Sequence, residues 1–564
     1  MIGLWWASGC LINGDLYRER LDALADDGDT DTDTDTDTDT DADTDGTGDT
    51  GDVPGDLDGD GYAGDADCDD SDPDRNPGEC EVCGDGDDEN CDPLNLDGVC
   101  HPALVPGFDL LTDAVRFDGV SRFDNAGIAV AAAGDFNGDH LGDVIVGASL
   151  ADPDGQDQAG SAYLLLSPLS GGSLGSAAAR YDGEVAEDRA GVAVGAVDLD
   201  DDGFSDLVIG AKAHDETAID TGAVYLVYGS AAVPSATNGL NQAAKLVGDL
   251  GAQAGGTLAG LGDVDGVPGA ELLVGAEHVE ADRGVVYLVS GGARVYQPRQ
   301  NYQLSTVATR IDGAEVNGSF GSAIADSRDV DGDGVGDFAV GALNAVTSGI
   351  NAGAAYLVLG DPAFASVGTF SVSDVGYAFL GESSGDHAGS SVGAGDVTGD
   401  GQVDLIVGAR SQSELSIDHG AVYVVSDLDL NGLYDPNPDL GFASAKVFGE
   451  NAGDRLGQAV TSPGDLNCDG IDDLVIGADR YEDERGVAYV LYGPVVGDVV
   501  LSEVPSLVRL LGTAKKTDNL GAYLAGAGDL DLDGRPDLVI GAYGAGEDVG
   551  LTGAGRVWIA YGAF

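Results

Sequence analysis

Residues 198–211 read DLDDDGFSDLVIGA. Asp198, Asp200, Asp202 and Asp206 fall within nine residues, and an apolar run follows at once. Carboxylates so close repel one another, so the loop either stays open or gathers around a cation. The pattern recurs as DFNGDHLGD (135–143), DVDGVPGAE (263–271), DVDGDGVGD (329–337), DVTGDGQVD (396–404), DLNCDGIDD (465–473) and DLDLDGRPD (529–537). With the opening copy these make seven, spaced 63 to 69 residues apart. Seven registers of one pattern predict a repeat architecture.

Each copy sits inside a larger unit. A small-residue run such as AGVAVGAVD (190–198) precedes the loop, and a segment ending in Gly-Ala follows it. A second apolar run such as GAVYLVYG (222–229) comes next, and then one such as AKLVGD (244–249). These are four short strands separated by Gly/Asp turns, with no helical period. Four-stranded units repeated seven times predict an all-β, seven-bladed β-propeller over 108–564. Gly and Ala of strand one permit close approach at the centre, and bulkier residues of strands two and three fill the space between blades. The seventh unit ends after GRVWIAYG, and an unmatched run, AVRFDG (114–119), precedes the first. Pairing these two would close the ring and remove a free edge.

In the spacing D-x-[DNT]-x-D-G-x-x-D, side chains at positions one, three, five and nine can converge, and the carbonyl at seven adds an oxygen. Such hard, flexible oxygen sets suit Ca²⁺. The plain alternative is an Asp-Gly turn without an ion. The candidate ligands are Asp135, Asn137, Asp139 and Asp143; Asp198, Asp200, Asp202 and Asp206; Asp329, Asp331, Asp333 and Asp337; Asp396, Thr398, Asp400 and Asp404; Asp465, Asn467, Asp469 and Asp473; and Asp529, Asp531, Asp533 and Asp537. In the 263–271 loop Val267 replaces the ligand at position five and Pro268 follows, so little or no ion is expected there. His140 stands where Gly is usual. Asp427, Asp429, Asn431 and Asp435 repeat the spacing between strands three and four of the fifth unit and form an extra candidate.

The first hundred residues differ. MIGLWWASGC places small residues before Cys10, without a basic start and with only a short apolar segment. Residues 26–55 alternate Asp and Thr and offer no apolar face, so an extended, disordered linker is expected. Residues 56–107 hold Cys68, Cys80, Cys83, Cys91 and Cys100 among many acids. Disulfides stapling a coreless segment are expected there, and Asp56, Asp58, Asp60 and Asp67 are further candidate metal ligands.

Three resemblances follow from these residues. The paired element Phe320-Gly321 or Ala190-Gly191, the acidic loop and the Gly-Ala after it resemble FG-GAP repeats, which build the N-terminal propeller of integrin α chains and many bacterial surface proteins. The final Pro of that name is absent throughout. DLDGDGY, DCDDSDP and DGDDENCD resemble the metal-binding motif of MopE-type bacterial surface proteins. ASGC resembles a bacterial lipoprotein cleavage site, which implies lipidation at Cys10. Together they imply an exported protein on the cell surface or anchored to the outer membrane, or otherwise secreted.

The chain has 101 Asp+Glu against 24 Lys+Arg, a formal net charge of -77. Such a surface repels nucleic acid and anionic headgroups and attracts cations. The six histidines follow no metal-ligand spacing, and no nucleophile or phosphate-loop motif stands in the required context. The expected function is therefore a calcium-stabilised adhesion or recognition module, a monomeric propeller and not an enzyme, that binds an extracellular protein or glycan. The alternatives are a polysaccharide-active lyase or hydrolase on a propeller scaffold, or a purely structural surface protein. In this strand order the acidic loops and the three-to-four connections share one face. The opposite face carries Lys212, Arg410, Arg480, Tyr481 and Lys515, the candidate partner-binding residues, in agreement with the face that integrin-like propellers use.

Overall fold

A computed structural model describes residues 104–562, apart from 216–219, 234–236, 293–295, 348–349, 416, 427–438 and 514–516. Leu532–Gly534 group apart from the other described residues. Seven sheets open on the inner strands Ala129–Gly134, Ala193–Val197, Thr257–Leu261, Phe320–Arg328, Ala388–Gly395, Ala459–Gly464 and Tyr523–Gly528, which begin blades one to seven. Each inner strand lies beside the next, and the seventh lies beside the first. The described residues form an all-β, seven-bladed propeller.

Blade two shows how the opening stretch folds. Ala193–Val197 pairs with Asp206–Ala211, which pairs with Ala223–Val227, which pairs with Ala244–Val247. The second strand is buried at all six positions in every blade. Its apolar run is continuous because neighbouring blades cover both faces. One such contact joins Ile145, Leu164 and Tyr181 of blade one to Ile209 and Tyr225 of blade two. Each fully buried side chain of this size contributes about 1.5–3 kcal/mol.

The recurring glycines have a common cause. The Gly of each Gly-Ala ending lies against the carbonyl of the Gly that opens the next blade's inner strand. A β-carbon at Gly477 would overlap the Gly521 carbonyl oxygen, and one at Gly541 would overlap that of Gly127 across the ring seam. Backbone cannot yield as a flexible side chain can, so Gly477→Ala should destabilise the fold by about 2–3 kcal/mol. Denaturant unfolding measures it, and a change under half that size would mean the blades can separate.

The ring closes as the sequence predicts. Val115–Asp118 pairs antiparallel with Arg556–Ala560, in the register Val115↔Ile559 to Asp118↔Arg556. Arg556 is fully buried; its Nε donates to Asp118 Oδ1 at 2.6 Å and its Nη2 to Asp548 Oδ1 at 2.9 Å.

Two features were not expected. Five blades carry a fifth short strand, parallel to their outer strand and supplied by the following blade. Thr237–Gly239 of blade two lies beside Ala179–Asp182 of blade one, and Gly497–Val500 of blade six lies beside Ala445–Phe448 of blade five. Each such segment leads into a one-turn helix with a buried aliphatic residue at its start, such as Leu240, Leu304, Val372 or Leu501. Leu110, at the start of Leu110–Asp113, is the same feature in the seventh blade. Leu104 and Phe108 are buried with it against Val490, Val508 and Leu510 of blade six. Packing into the propeller is thus already under way at Leu104.

The expected disulfides find no pair among the described residues, where Cys468 is the one cysteine; Arg535 Nε lies 3.3 Å from its sulfur. Cys10, the 26–55 linker and the 56–100 segment lie outside the described residues.

Candidate metal centres

Six of the acidic loops are wound around their first carboxylate. Asp329 Oδ1 accepts the amides of Gly332 at 2.7 Å and Asp333 at 3.1 Å, and its Oδ2 accepts that of Gly334 at 2.8 Å. Asp396 receives Gly399, Asp400 and Gly401 in the same way. Position five then braces the loop's second half: Asp202 Oδ1 accepts the Phe204 amide at 3.0 Å, and Asp333 Oδ1 that of Val335 at 2.8 Å. The turn needs a left-handed residue at position six, where Gly334 has φ 89° and His140, despite its β-carbon, has φ 70°.

Position nine is buried beneath the loop and ties it to the start of the three-to-four connection. Asp473 accepts the Leu466 amide at 2.8 Å and the Gly493 amide at 2.9 Å. Asp206 accepts those of Leu199 at 3.1 Å and Gly229 at 2.9 Å. Burial outweighs these hydrogen bonds. It pushes Asp143, Asp337 and Asp404 up to about 7, Asp206 and Asp473 to about 8, and Glu271 to about 9. Nearby like charges, such as Asp200 and Asp198 around Asp206, push the same way.

Four loops bring three carboxylates together with oxygens within 4.8 Å of one another: Asp198, Asp200 and Asp206; Asp263, Asp265 and Glu271; Asp329, Asp331 and Asp333; and Asp529, Asp531 and Asp537. These clusters could hold a metal ion. Asp200 Oδ1, Asp263 Oδ1 and Asp265 Oδ2 are buried without a hydrogen-bond partner, the state a cation would relieve. The second cluster departs from expectation. Val267 removes one ligand position, yet Glu271 reaches into the group while accepting the Val264 amide at 2.9 Å. Sequence reasoning passed over Asp263, Asp265 and Glu271; the longer acid at position nine was the available signal.

In loops one, five and six position three is Asn137, Thr398 or Asn467, and no such triplet of carboxylates forms. Asn137 Nδ2 instead donates to Asp139 Oδ2 at 2.8 Å, Asn467 Nδ2 to Asp469 Oδ2 at 3.0 Å, and Thr398 Oγ1 to Asp404 Oδ1 at 3.2 Å. Asp465 and Asp135 still head their loops as Asp329 does. Asp533 falls in Leu532–Gly534, the stretch that groups apart. Asp427, Asp429, Asn431 and Asp435, like Asp56, Asp58, Asp60 and Asp67, lie outside the described residues.

On the opposite face Lys212 and Arg410 each follow a buried second strand and are half-buried, and Arg480 is exposed. Arg410 and Arg480 share the seam of blades five and six, whereas Lys212 stands on blade two. Tyr481 is half-buried and meets Tyr489 edge-on at 6.4 Å. Lys515 lies outside the described residues.

Residues 126–165, 190–227, 388–425 and 522–559 match the FG-GAP repeat. They run to the third strand of blades one, two, five and seven, and the first three begin at the opening pairs Ala126-Gly127, Ala190-Gly191 and Ala388-Gly389. The chain is similar to integrin alpha-V of Gallus gallus, 29% identical over 269 residues, which is 47% of this chain and 24% of the relative. It is 34% identical over 179 residues to integrin alpha-8 of Gallus gallus, 30% of this chain and 16% of the relative. With human integrin alpha-IIb it shares 35% over 174 residues, again 30% and 16%. The chain therefore spans a quarter or less of the length of these relatives.

Proposed function

We propose that this propeller is a calcium-stabilised recognition module that works outside the cell and binds a protein or glycan partner without turning it over. The observation that carries the reading is the convergence of carboxylates in loops of one repeated geometry, on a scaffold similar to the propellers of integrin α chains. Calcium is favoured over zinc or magnesium because every candidate ligand is oxygen and the loops vary in ligand number. Asp427–Asp435, and Asp56, Asp58, Asp60 and Asp67, are proposed as further ligand sets. The reading also takes 56–107 as a separate acidic segment and 26–55 as its tether. Cys10 is the proposed point of lipid attachment.

The ions belong to one face. The other is left for a partner, with Lys212, Arg410, Arg480, Tyr481 and Lys515 as candidate contacts. A panel of extracellular proteins and glycans, probed with and without calcium and analysed for turnover, tests the reading. Calcium-dependent capture of a partner that is recovered unchanged is the expected result. Cleavage of a panel glycan would favour the polysaccharide-active alternative, and no capture at any calcium level would favour a structural role.

A further inference from the structure

The seam between blades five and six carries three guanidiniums that no carboxylate contacts. Arg410 follows the strand Asp404–Ala409, Arg480 follows Asp473–Ala478, and Arg455 stands in the connection leading to Ala459–Gly464. A side-chain hydrogen bond holds the Arg410 guanidinium, and backbone hydrogen bonds hold the chain at the other two. Arg410 Nη1 donates to Gln458 Oε1 at 3.2 Å. The Arg455 amide donates to the Asp418 carbonyl at 3.2 Å, and the Arg480 amide to that of Asp454 at 3.4 Å. Burial and then the charge of Arg455 push the Arg410 guanidinium down; the Asp479 carboxylate opposes them, and Arg480 adds to the lowering.

Among the described residues, none of the three has a carboxylate oxygen within 4.0 Å, whereas Arg116, Arg180, Arg310, Arg509 and Arg556 all do. With 101 Asp+Glu in the chain, partners are not scarce. Two buried polar atoms nearby also lack a hydrogen bond, Oδ1 of Asp479, a residue 7% exposed, and Nδ1 of His387. Asp479 is the one carboxylate whose charge acts on all three arginines, so the cluster keeps an excess of positive charge that an anion docking among them would offset.

We propose that Arg410, Arg455 and Arg480 form a carboxylate-binding site, and that its occupant is an acidic side chain of a protein partner whose surrounding surface is basic. The inference rests on the recognition reading of this face and names the chemistry recognised. Planar guanidiniums pair with a carboxylate through two parallel N–H donors. The rest of the molecule decides the partner's class. Around the three arginines the surface belongs to a chain of net charge -77, so a polyanion such as a polyuronate meets repulsion on either side of the site. A single carboxylate set in a basic rim meets attraction both at the site and around it.

Isothermal titration tests this in calcium buffer with two lysine-flanked peptides that differ at one position, Asp against Asn, and with hexagalacturonate. The Asp peptide should bind about tenfold more tightly than the Asn peptide, a difference of about 1.4 kcal/mol. The combined variant Arg410→Gln, Arg455→Gln and Arg480→Gln should abolish the difference while melting as the parent does. Arg122→Gln, at an exposed arginine that donates to the Gly550 carbonyl, should leave the difference intact. Equal binding of the two peptides, a difference that survives the triple variant, or tighter hexagalacturonate binding through the same arginines would each overturn the proposal. The partner panel judges the recognition reading separately, so a captured partner beside a negative peptide titration removes the carboxylate assignment alone.

Discussion

A chain that begins at residue 123 is expected to aggregate, whereas one that begins at Leu104 folds. The longer deletion removes Val115–Asp118 and leaves Arg556–Ala560 as an unpaired outer edge. It also removes four buried apolar side chains, Leu104, Phe108, Leu110 and Phe117. At about 1.5–3 kcal/mol each, their loss is comparable with the whole net stability of a typical domain. Arg556 would keep Asp548 but lose Asp118, and Trp558, fully buried in the native ring, would line the exposed edge. An edge of this kind invites pairing between chains. The milder Asp118→Asn should lower stability by about 2 kcal/mol through the weakened pairing of a buried guanidinium. Size-exclusion chromatography and thermal melting report both variants. A soluble fragment from residue 123 that melts as the parent does would mean the N-terminal strand is dispensable.

The second large effect is the dependence of metal-free stability on pH. Burial raises Asp143, Asp337 and Asp404 to about 7, Asp206 and Asp473 to about 8, and Glu271 to about 9, above the ordinary carboxylate range of an unfolded chain. A carboxyl group whose folded value is raised holds its proton more tightly in the native state. Its contribution to stability is full below about pH 4 and is lost as pH rises through the folded value. In chelator, the melting temperature should therefore fall by at least about 5 °C between pH 5 and pH 9. Saturating calcium compensates the charge it binds, so the gap between calcium and chelator should widen as pH rises. Chelated protein that melts at the same temperature across this range, or higher at pH 9, would show that these carboxylates are already neutralised by other means.

Seven loops at near-constant spacing made the blade count legible, and the Gly/Ala-rich runs marked the inner strands. Ring closure was legible because AVRFDG had no partner upstream and GRVWIAYG had none downstream. The fifth strands were not legible. Thr237–Gly239 has no strand preference of its own and is extended only because the outer strand of blade one offers it a parallel ladder. Leu104 was missed because its apolar partners lie on blade six, nearly four hundred residues away in the chain. In the loops, ligand types could be read from spacing, but spacing could not reveal that position nine is buried beneath the loop with both oxygens on backbone amides. Nor could it reveal that Glu271 comes together with Asp263 and Asp265 in the loop where Val267 takes a ligand position. Arg410 and Arg480 were legible as scarce basic residues on loops. Their meeting with Arg455 follows only from the seam between two blades.

The central claim is that the acidic loops bind calcium and that each does so separately. Equilibrium dialysis against about 1 mM calcium, a concentration suited to extracellular sites, followed by metal analysis tests it most directly. The account predicts at least four ions per chain, one for each loop in which three carboxylates converge. Asp200→Ala and Asp265→Ala should each remove one ion, and replacement of the exposed Asp154 outside the loops should remove none. A chain that binds no calcium, or one whose ion count is the same in all three variants, would contradict it.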